Sequence, residues 1–489
     1  MGLRTAELLR QHAYVGGVWC AAEDNTTIDV RNPFDNSLLG TIPNLGAMET
    51  ARAIAAADDA LPAWRAKTGK ERGTILRKWH QSIEQHSDDL ALLLTLEQGK
   101  PLAEAKGELN YALSFVEWFA EEAKRVYGDV LPTPRGDQRM MAIRQPVGVV
   151  AAIIAWNFPS ALVTRKVSPA LAAGCTVVLK PSELTPFTAL ALAWLGEQAG
   201  IPPGVFNVVT GDPASIGGEL ARSSVVRKLT FTGSTATGRL LMQQSASNIK
   251  KLSLELGGNA PFIVFEDADL DDAVQGLMVS KFRNAGQTCV CANRVFVHAS
   301  VAETFAAKLR AEIERMKLGN GLDEDVTIGP LIDQRAVQKV SRLVDDAVAK
   351  GARLLCGGHL SKPDSLLFQA TLLDGISNDM DIAHEEIFGP VVALSVFESE
   401  ENVLARANDS ESGLAAYFFT TSLERTWRAM EALEYGIVGI NTGAVSNEVG
   451  PFGGVKESGI GREGSKYGIE EFLELKYVCL AGKSFNSAR

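Results

Sequence analysis

The run Val149-Val150-Ala151-Ala152-Ile153-Ile154-Ala155 carries no polar side chain, follows a glycine and ends at Trp156-Asn157-Phe158-Pro159. A wholly apolar run this short reads as a strand covered on both faces. Three more short runs that read as buried strands lie downstream at 176–180, 205–210 and 228–232, with helical segments at 186–198, 214–222 and 236–247 between them. Strands alternating with helices predict a parallel sheet with helices on both faces and a ligand crevice at the carboxyl ends of its strands. That is a nucleotide-binding layout.

With 489 residues the chain is too long for one ordinary core, so two or three units are expected. Upstream, 27–46 reads as short strands and turns, and 47–66, 70–98 and 101–126 as amphipathic helices. The Pro, Gly, Asp and Arg content of 127–144 predicts an excursion from this first unit. After Gly258 the alternation resumes, with strands near 261–265, 294–298, 391–397, 414–420 and 437–441. Helices near 269–283, 301–316, 333–350 and 423–434 intervene, and the tail at 470–480 is strand-capable.

The net charge of -11 favours solubility and disfavours nonspecific binding to nucleic acid or an anionic membrane. The amino terminus has no signal-peptide core, and no segment is apolar for long enough to span a bilayer. Cysteines at 20, 175, 289, 291, 356 and 479 form no disulfide framework, and the six histidines show no metal-ligand spacing. A cytoplasmic, metal-free enzyme is expected.

The stretch Lys281-Phe282-Arg283-Asn284-Ala285-Gly286-Gln287-Thr288-Cys289-Val290-Cys291 sets a cysteine among small and polar residues just after a predicted helix. A free cysteine is usually a buried small hydrophobe, but this setting suits a thiol that meets substrate. A second motif misleads: Gly459-Ile460-Gly461-Arg462-Glu463-Gly464 matches the G-x-G-x-x-G dinucleotide pattern. It lacks a preceding strand and enough following chain for a βαβ unit. The better phosphate loop is Phe231-Thr232-Gly233-Ser234-Thr235, where a strand enters a glycine turn and then a helix whose free N–H groups favour phosphate.

Together with the cysteine stretch, Ala155-Trp156-Asn157-Phe158-Pro159, Leu254-Glu255-Leu256-Gly257-Gly258-Asn259 and Glu385-Glu386-Ile387-Phe388-Gly389-Pro390 resemble the aldehyde dehydrogenase superfamily over nearly the whole chain. The resemblance implies an α/β fold with three parts: a Rossmann-type NAD(P)-binding domain at 1–126 and 145–257, an α/β catalytic domain at 258–469, and a small β oligomerisation arm at 127–144 and 470–489. It also implies a homodimer or homotetramer built through that arm.

On this resemblance Cys289 is the nucleophile, because a thiolate adds readily to an aldehyde carbon and leaves a hydrolysable thioester. Asn157 and the Cys289 N–H are the oxyanion donors, and Glu255 is the base that activates water for hydrolysis. Cys291 is the neighbouring non-nucleophilic thiol and a possible redox partner of Cys289. Trp156, Lys180, Glu183, Gly233, Ser234, Glu386 and Phe388 fall at cofactor-binding positions. A carboxylate at Glu183 accepts from ribose hydroxyls but repels a 2′-phosphate, so NAD is expected over NADP, with NADP use left open by Lys180.

The runs 97–106, 282–293 and 434–443 are similar to those of succinate-semialdehyde dehydrogenases. A substrate with a distal carboxylate needs a cation, preferably an arginine fork, and Arg165 and Arg283 match the corresponding positions, with Ser446 as a hydroxyl donor. Glutarate semialdehyde, one methylene longer, is the alternative substrate. A noncatalytic NAD-binding protein is disfavoured by the joint presence of Cys289, Glu255 and Asn157.

Overall fold

The computed structural model describes residues 2–482, so the 483–489 portion of the expected arm lies outside the described residues. The run at 149 forms the strand Val149–Ile153, buried at every position. It stands at the centre of an eight-stranded sheet. Thr176–Lys180 and then Phe206–Val208 pair parallel on one side of it, and Val226–Thr232 and then Lys251–Glu255 pair parallel on the other. The chain therefore reverses its direction of travel across the sheet between Val149–Ile153 and Val226–Thr232. In an open α/β sheet, such a reversal leaves a crevice beyond the carboxyl ends of the two strands. Here those ends lead into Trp156-Asn157 and Gly233-Ser234.

The sequence reading missed the helix Pro159–Ala173, which is buried at all fifteen positions. A helix with no wet face has no amphipathic period to detect. The single helix expected over 70–98 is two, Gly69–Gln85 and Ser87–Gln98, divided at His86. The strand Lys251–Glu255, also missed, carries Glu255 at its last position.

A second sheet of seven strands takes the order Arg353–Cys356, Thr371–Asp374, Val391–Phe397, Ala292–His298, Ala260–Val264, Ala415–Phe419 and Ile437–Ile440. All neighbours are parallel except the first pair. The cysteine loop enters this sheet at the amino end of Ala292–His298. Each sheet has its own apolar core, one around Leu171, Val177 and Phe206 and another around Phe262, Val295 and Tyr417.

The 127–144 excursion and the tail meet in a third sheet. Leu473–Ala481 lies antiparallel to Gln138–Pro146, in register from Leu473 opposite Pro146 to Ala481 opposite Gln138, and Asp129–Leu131 pairs on the other side. Gly459–Ile460, from the glycine motif, lies antiparallel to Leu254 and Glu255 at the edge of the first sheet. That segment closes a sheet edge and feeds no βαβ unit.

Candidate active site

The carboxyl ends of the first sheet and the cysteine loop of the second line one cavity of about 290 Å³. Cys289, Asn157, Glu255, Trp156, Gly233, Ser234, Glu386, Phe388, Arg165, Arg283 and Ser446 all border it. Lys180, Glu183 and Cys291 do not. The Cys291 thiol is buried, with its Sγ 3.5 Å from the carbonyl oxygens of Lys281 and Ala292.

The cysteine loop is held in an unusual conformation. Asn284, Ala285 and Gly286 have φ of 53°, 55° and 75°, three successive residues in the left-handed region that only glycine enters without cost. Gly258, from the Leu-Gly-Gly motif, packs against this loop so closely that a Cβ there would meet the Cys289 carbonyl oxygen at 2.4 Å. Glycine at this position lets the chain leaving the strand that ends at Glu255 lie against the Cys289 backbone.

Burial pushes the Cys289 thiol up to about 12, with Arg165 and Arg283 opposing the rise and Glu386 and Glu255 adding to it. Burial thus favours the neutral thiol, and a nucleophilic role would need the thiolate. A proton acceptor is required. Glu255 is 2% exposed, and neither of its carboxylate oxygens has a hydrogen-bond partner among the described residues. Burial raises it well above the usual carboxylate range, and nearby Glu463 raises it further against the pull of Arg165 and Lys166.

Asn157 donates from Nδ2 to the Gln287 carbonyl at 3.0 Å. An amide carries two N–H groups, so the second is left for an oxygen in the cavity. Arg165 Nη2 donates to Glu463 Oε2 at 2.5 Å, and the guanidinium stacks 4.0 Å from the Phe452 ring centroid. Lys166 holds the other Glu463 oxygen. Arg283 has no ion pair among the described residues and lies 4.9 Å from the Phe158 ring. Sequence reasoning missed Tyr111 and Phe452, which line the cavity, and Glu463 behind them. Glu463 does stand in the glycine motif that the sequence had set aside.

The residues suit a dinucleotide. At Gly233 a Cβ would strike the Phe231 ring at 2.3 Å, so the turn stays open in front of the helix Thr235–Ser245, whose amino end Ser234 caps. Glu386 accepts from the Gly258 N–H at 3.1 Å, and burial raises it to about 7. Phe388 meets Trp156 edge-on at 5.7 Å. Lys180 Nζ donates to Glu183 Oε2 at 2.8 Å. Burial works to raise Glu183, but Lys180 beside it prevails and holds it below the usual carboxylate range.

The aldehyde dehydrogenase family model matches residues 19–478. This chain belongs to the aldehyde dehydrogenase family. It is 58% identical over 480 residues to the succinate-semialdehyde dehydrogenase [NADP(+)] GabD of Escherichia coli strain K12, covering 98% of this chain and 100% of that one. It is 57% identical over 481 residues to the glutarate-semialdehyde dehydrogenase of Pseudomonas putida, with 98% and 100% coverage. The crystal structure of succinate-semialdehyde dehydrogenase from Burkholderia pseudomallei superposes with a TM-score of 0.98 at 57% identity, over 99% of this chain and all of that one. Among the described residues, no helix of this family member is long and apolar enough to cross a membrane.

Proposed function

We propose that this aldehyde dehydrogenase oxidises succinate semialdehyde to succinate with NAD(P), preferring NAD. The observation that carries the substrate is the cavity itself, which has Cys289 in one wall and two arginines and Ser446 in others. A guanidinium recognises a carboxylate through paired N–H donors, so Arg283 and Arg165 would hold the distal carboxylate while the aldehyde carbon meets Cys289. Relatives named for succinate or glutarate semialdehyde support the class. Glutarate semialdehyde is the second reading, favoured by the near-equal identity to both relatives; one methylene is worth only about 1 to 3 kcal/mol.

In this reading the Cys289 proton passes to water in the cavity as the sulfur bonds to the aldehyde carbon, and the carbonyl electron pair moves to oxygen to give a tetrahedral alkoxide. Asn157 Nδ2 and the Cys289 N–H stabilise that oxygen. A nicotinamide held beside Glu386 and Phe388 would supply the hydride acceptor that lets the alkoxide collapse to a thioester. The thioester left on Cys289 is then attacked by a water whose proton passes to Glu255; the acid departs as the C–S bond breaks, and the proton on Glu255 returns to the sulfur to restore the thiol. Trp156, Gly233, Ser234, Glu386 and Phe388 would hold the cofactor, with Lys180 and Glu183 at its adenosine ribose. An ionised Glu183 disfavours a 2′-phosphate, although the relative from Escherichia coli is named for NADP(+).

We assign 1–126 and 145–257 to cofactor binding, 258–469 to catalysis and the 127–144 and 470–489 segments to an arm between subunits of a homodimer or homotetramer; light scattering decides between the two. All six cysteines are free, which fits a reducing cytoplasm. The test of function follows nicotinamide reduction with succinate semialdehyde, glutarate semialdehyde and butanal, each with NAD and NADP. A semialdehyde with NAD should lead. Equal rates with butanal would remove the carboxylate pocket, and a lead for NADP would remove the Glu183 argument.

A further inference from the structure

The turn Glu97-Gln98-Gly99-Lys100-Pro101 lies far from Cys289 in sequence and has no place in the chemistry above. Its lysine nevertheless reaches the site. Lys100 is fully buried, with its ammonium 2.5 Å from Glu108 Oε2 and 4.0 Å from the Phe158 ring centroid. It donates to the main-chain carbonyl oxygen of Asn157 at 2.8 Å.

The same carbonyl oxygen accepts a second bond, from Asn284 Nδ2 at 3.0 Å. Asn284 is the first residue of the left-handed turn that precedes Cys289, and its own N–H donates to Glu104 Oε2 at 2.7 Å. Both lone pairs of the Asn157 carbonyl are thus occupied. The Asn157 amide donates across to Gln287, which is itself fixed by Ile332 N–H donating to its Oε1 at 2.9 Å. Glu108 completes the frame: its other oxygen accepts from Ser160 N–H and Oγ, each at 2.9 Å, at the start of the helix that follows Asn157.

A buried ion pair is a poor device for stability, because removing both charges from water costs several kcal/mol each and a well-packed apolar pair serves as well. What it supplies is a fixed direction for its donors. We propose that Lys100 and Asn284 are positioning residues for the oxyanion donor, clamping the Asn157 carbonyl so that the Asn157 amide keeps its distance from the Cys289 N–H. The proposal rests on the reading of Asn157 as oxyanion donor.

The experiment is a mutant cycle read by the rate of nicotinamide reduction in a single turnover, with thioester hydrolysis measured separately. Asn284→Gly removes the side-chain donor while keeping a residue that accepts φ near 53°. Lys100→Met combined with Glu108→Leu removes both buried charges together, so neither is stranded. Each should slow hydride transfer about ten-fold, less than the 10²–10³ typical for loss of an oxyanion donor outright, and slow hydrolysis of the formed thioester as well, because water attacking that carbonyl builds a second oxyanion at the same donors. In an Asn157→Ala background neither should cause further loss. Equal losses in both backgrounds would mean that the frame only supports packing, and the proposal fails; unchanged hydride transfer in Asn284→Gly also overturns it. If Asn157→Ala alone leaves hydride transfer intact, the oxyanion reading itself is wrong, an outcome distinct from the other two.

Discussion

Arg165 Nη2 donates to Glu463 Oε2 at 2.5 Å, so one of the two arginines bordering the cavity already has a carboxylate. Arg283 makes no ion pair among the described residues, although its charge reaches the Glu104 carboxylate. The two guanidinium groups should therefore differ in what they offer a substrate. Arg283→Leu is expected to cut kcat/KM for succinate semialdehyde by about 1.5 to 3 kcal/mol, roughly ten- to hundred-fold, and to leave butanal nearly unchanged. Arg165→Leu leaves Lys166 on one Glu463 oxygen but takes the donor from the other, Oε2, in a buried site, so it should lower stability and slow both substrates together. Parallel steady-state assays with a thermal melt check this; an equal loss for both aldehydes in Arg283→Leu would end its role in carboxylate binding.

In the proposed mechanism Glu255 and Cys289 are separable in time, since one would act on the thioester that the other would form. Glu255→Gln keeps the shape of the side chain but cannot take a proton. It should retain a burst of nicotinamide reduction close to one per site and lose about 10²- to 10⁴-fold in steady turnover. Stopped-flow traces show the burst directly. A variant that loses burst and turnover alike would place Glu255 before hydride transfer, as the acceptor of the Cys289 proton.

Much of the fold is legible because its strands are short, apolar and regularly spaced: Thr176–Lys180 and Val391–Phe397 form with the expected bounds. What was hidden has physical reasons. Pro159–Ala173 is buried all round and shows no helical period. The division at His86 leaves no proline or glycine in the sequence to mark it. At the site, Cys289, Asn157 and Glu255 stand out through their motifs, whereas the Lys166–Glu463 pair spans 297 residues and only folding brings it together. Tyr111 and Phe452 are ordinary aromatic residues until the cavity forms around them.

Lys180 and Glu183 form a half-buried ion pair at 2.8 Å. A 2′-phosphate arriving at this edge would meet the Glu183 charge and compete for the Lys180 ammonium. Glu183→Ser removes the first and frees the second. The ratio of kcat/KM for NADP to that for NAD should rise by roughly ten-fold or more, as expected when a like-charge contact is relieved. A ratio that stays constant would show that the phosphate is accommodated elsewhere.

Cys291 follows Cys289 by two residues, and its N–H donates to the Thr288 carbonyl at 3.0 Å, which folds the loop back on itself. Peroxide would oxidise Cys289 to the sulfenic acid, and the Cys291 thiol would then displace water to form a disulfide. Wild-type enzyme held in peroxide should recover activity with dithiothreitol. Cys291→Ala should lose that recovery as its sulfenic acid is oxidised further. Identical recovery in both proteins would leave Cys291 without a redox role.

Glu463 offers the sharpest test of how the site sets its proton affinities. Glu255 is raised chiefly by burial and further by the Glu463 charge, while Arg165, Lys166 and Arg462 pull it down. A base works only when ionised, so turnover limited by thioester hydrolysis should fall as the pH drops through the raised Glu255 value. Glu463→Gln keeps the hydrogen-bonding shape and removes the negative charge, and it leaves Arg165 and Lys166 uncompensated. Both changes favour the ionised form of Glu255. The acid limb of the kcat profile should therefore move to lower pH, at the expense of a lower Tm because two buried cations lose their carboxylate. A limb that moves upward, or stays put while Tm falls, would mean that Glu463 serves the fold and that Glu255 takes its proton affinity from burial alone.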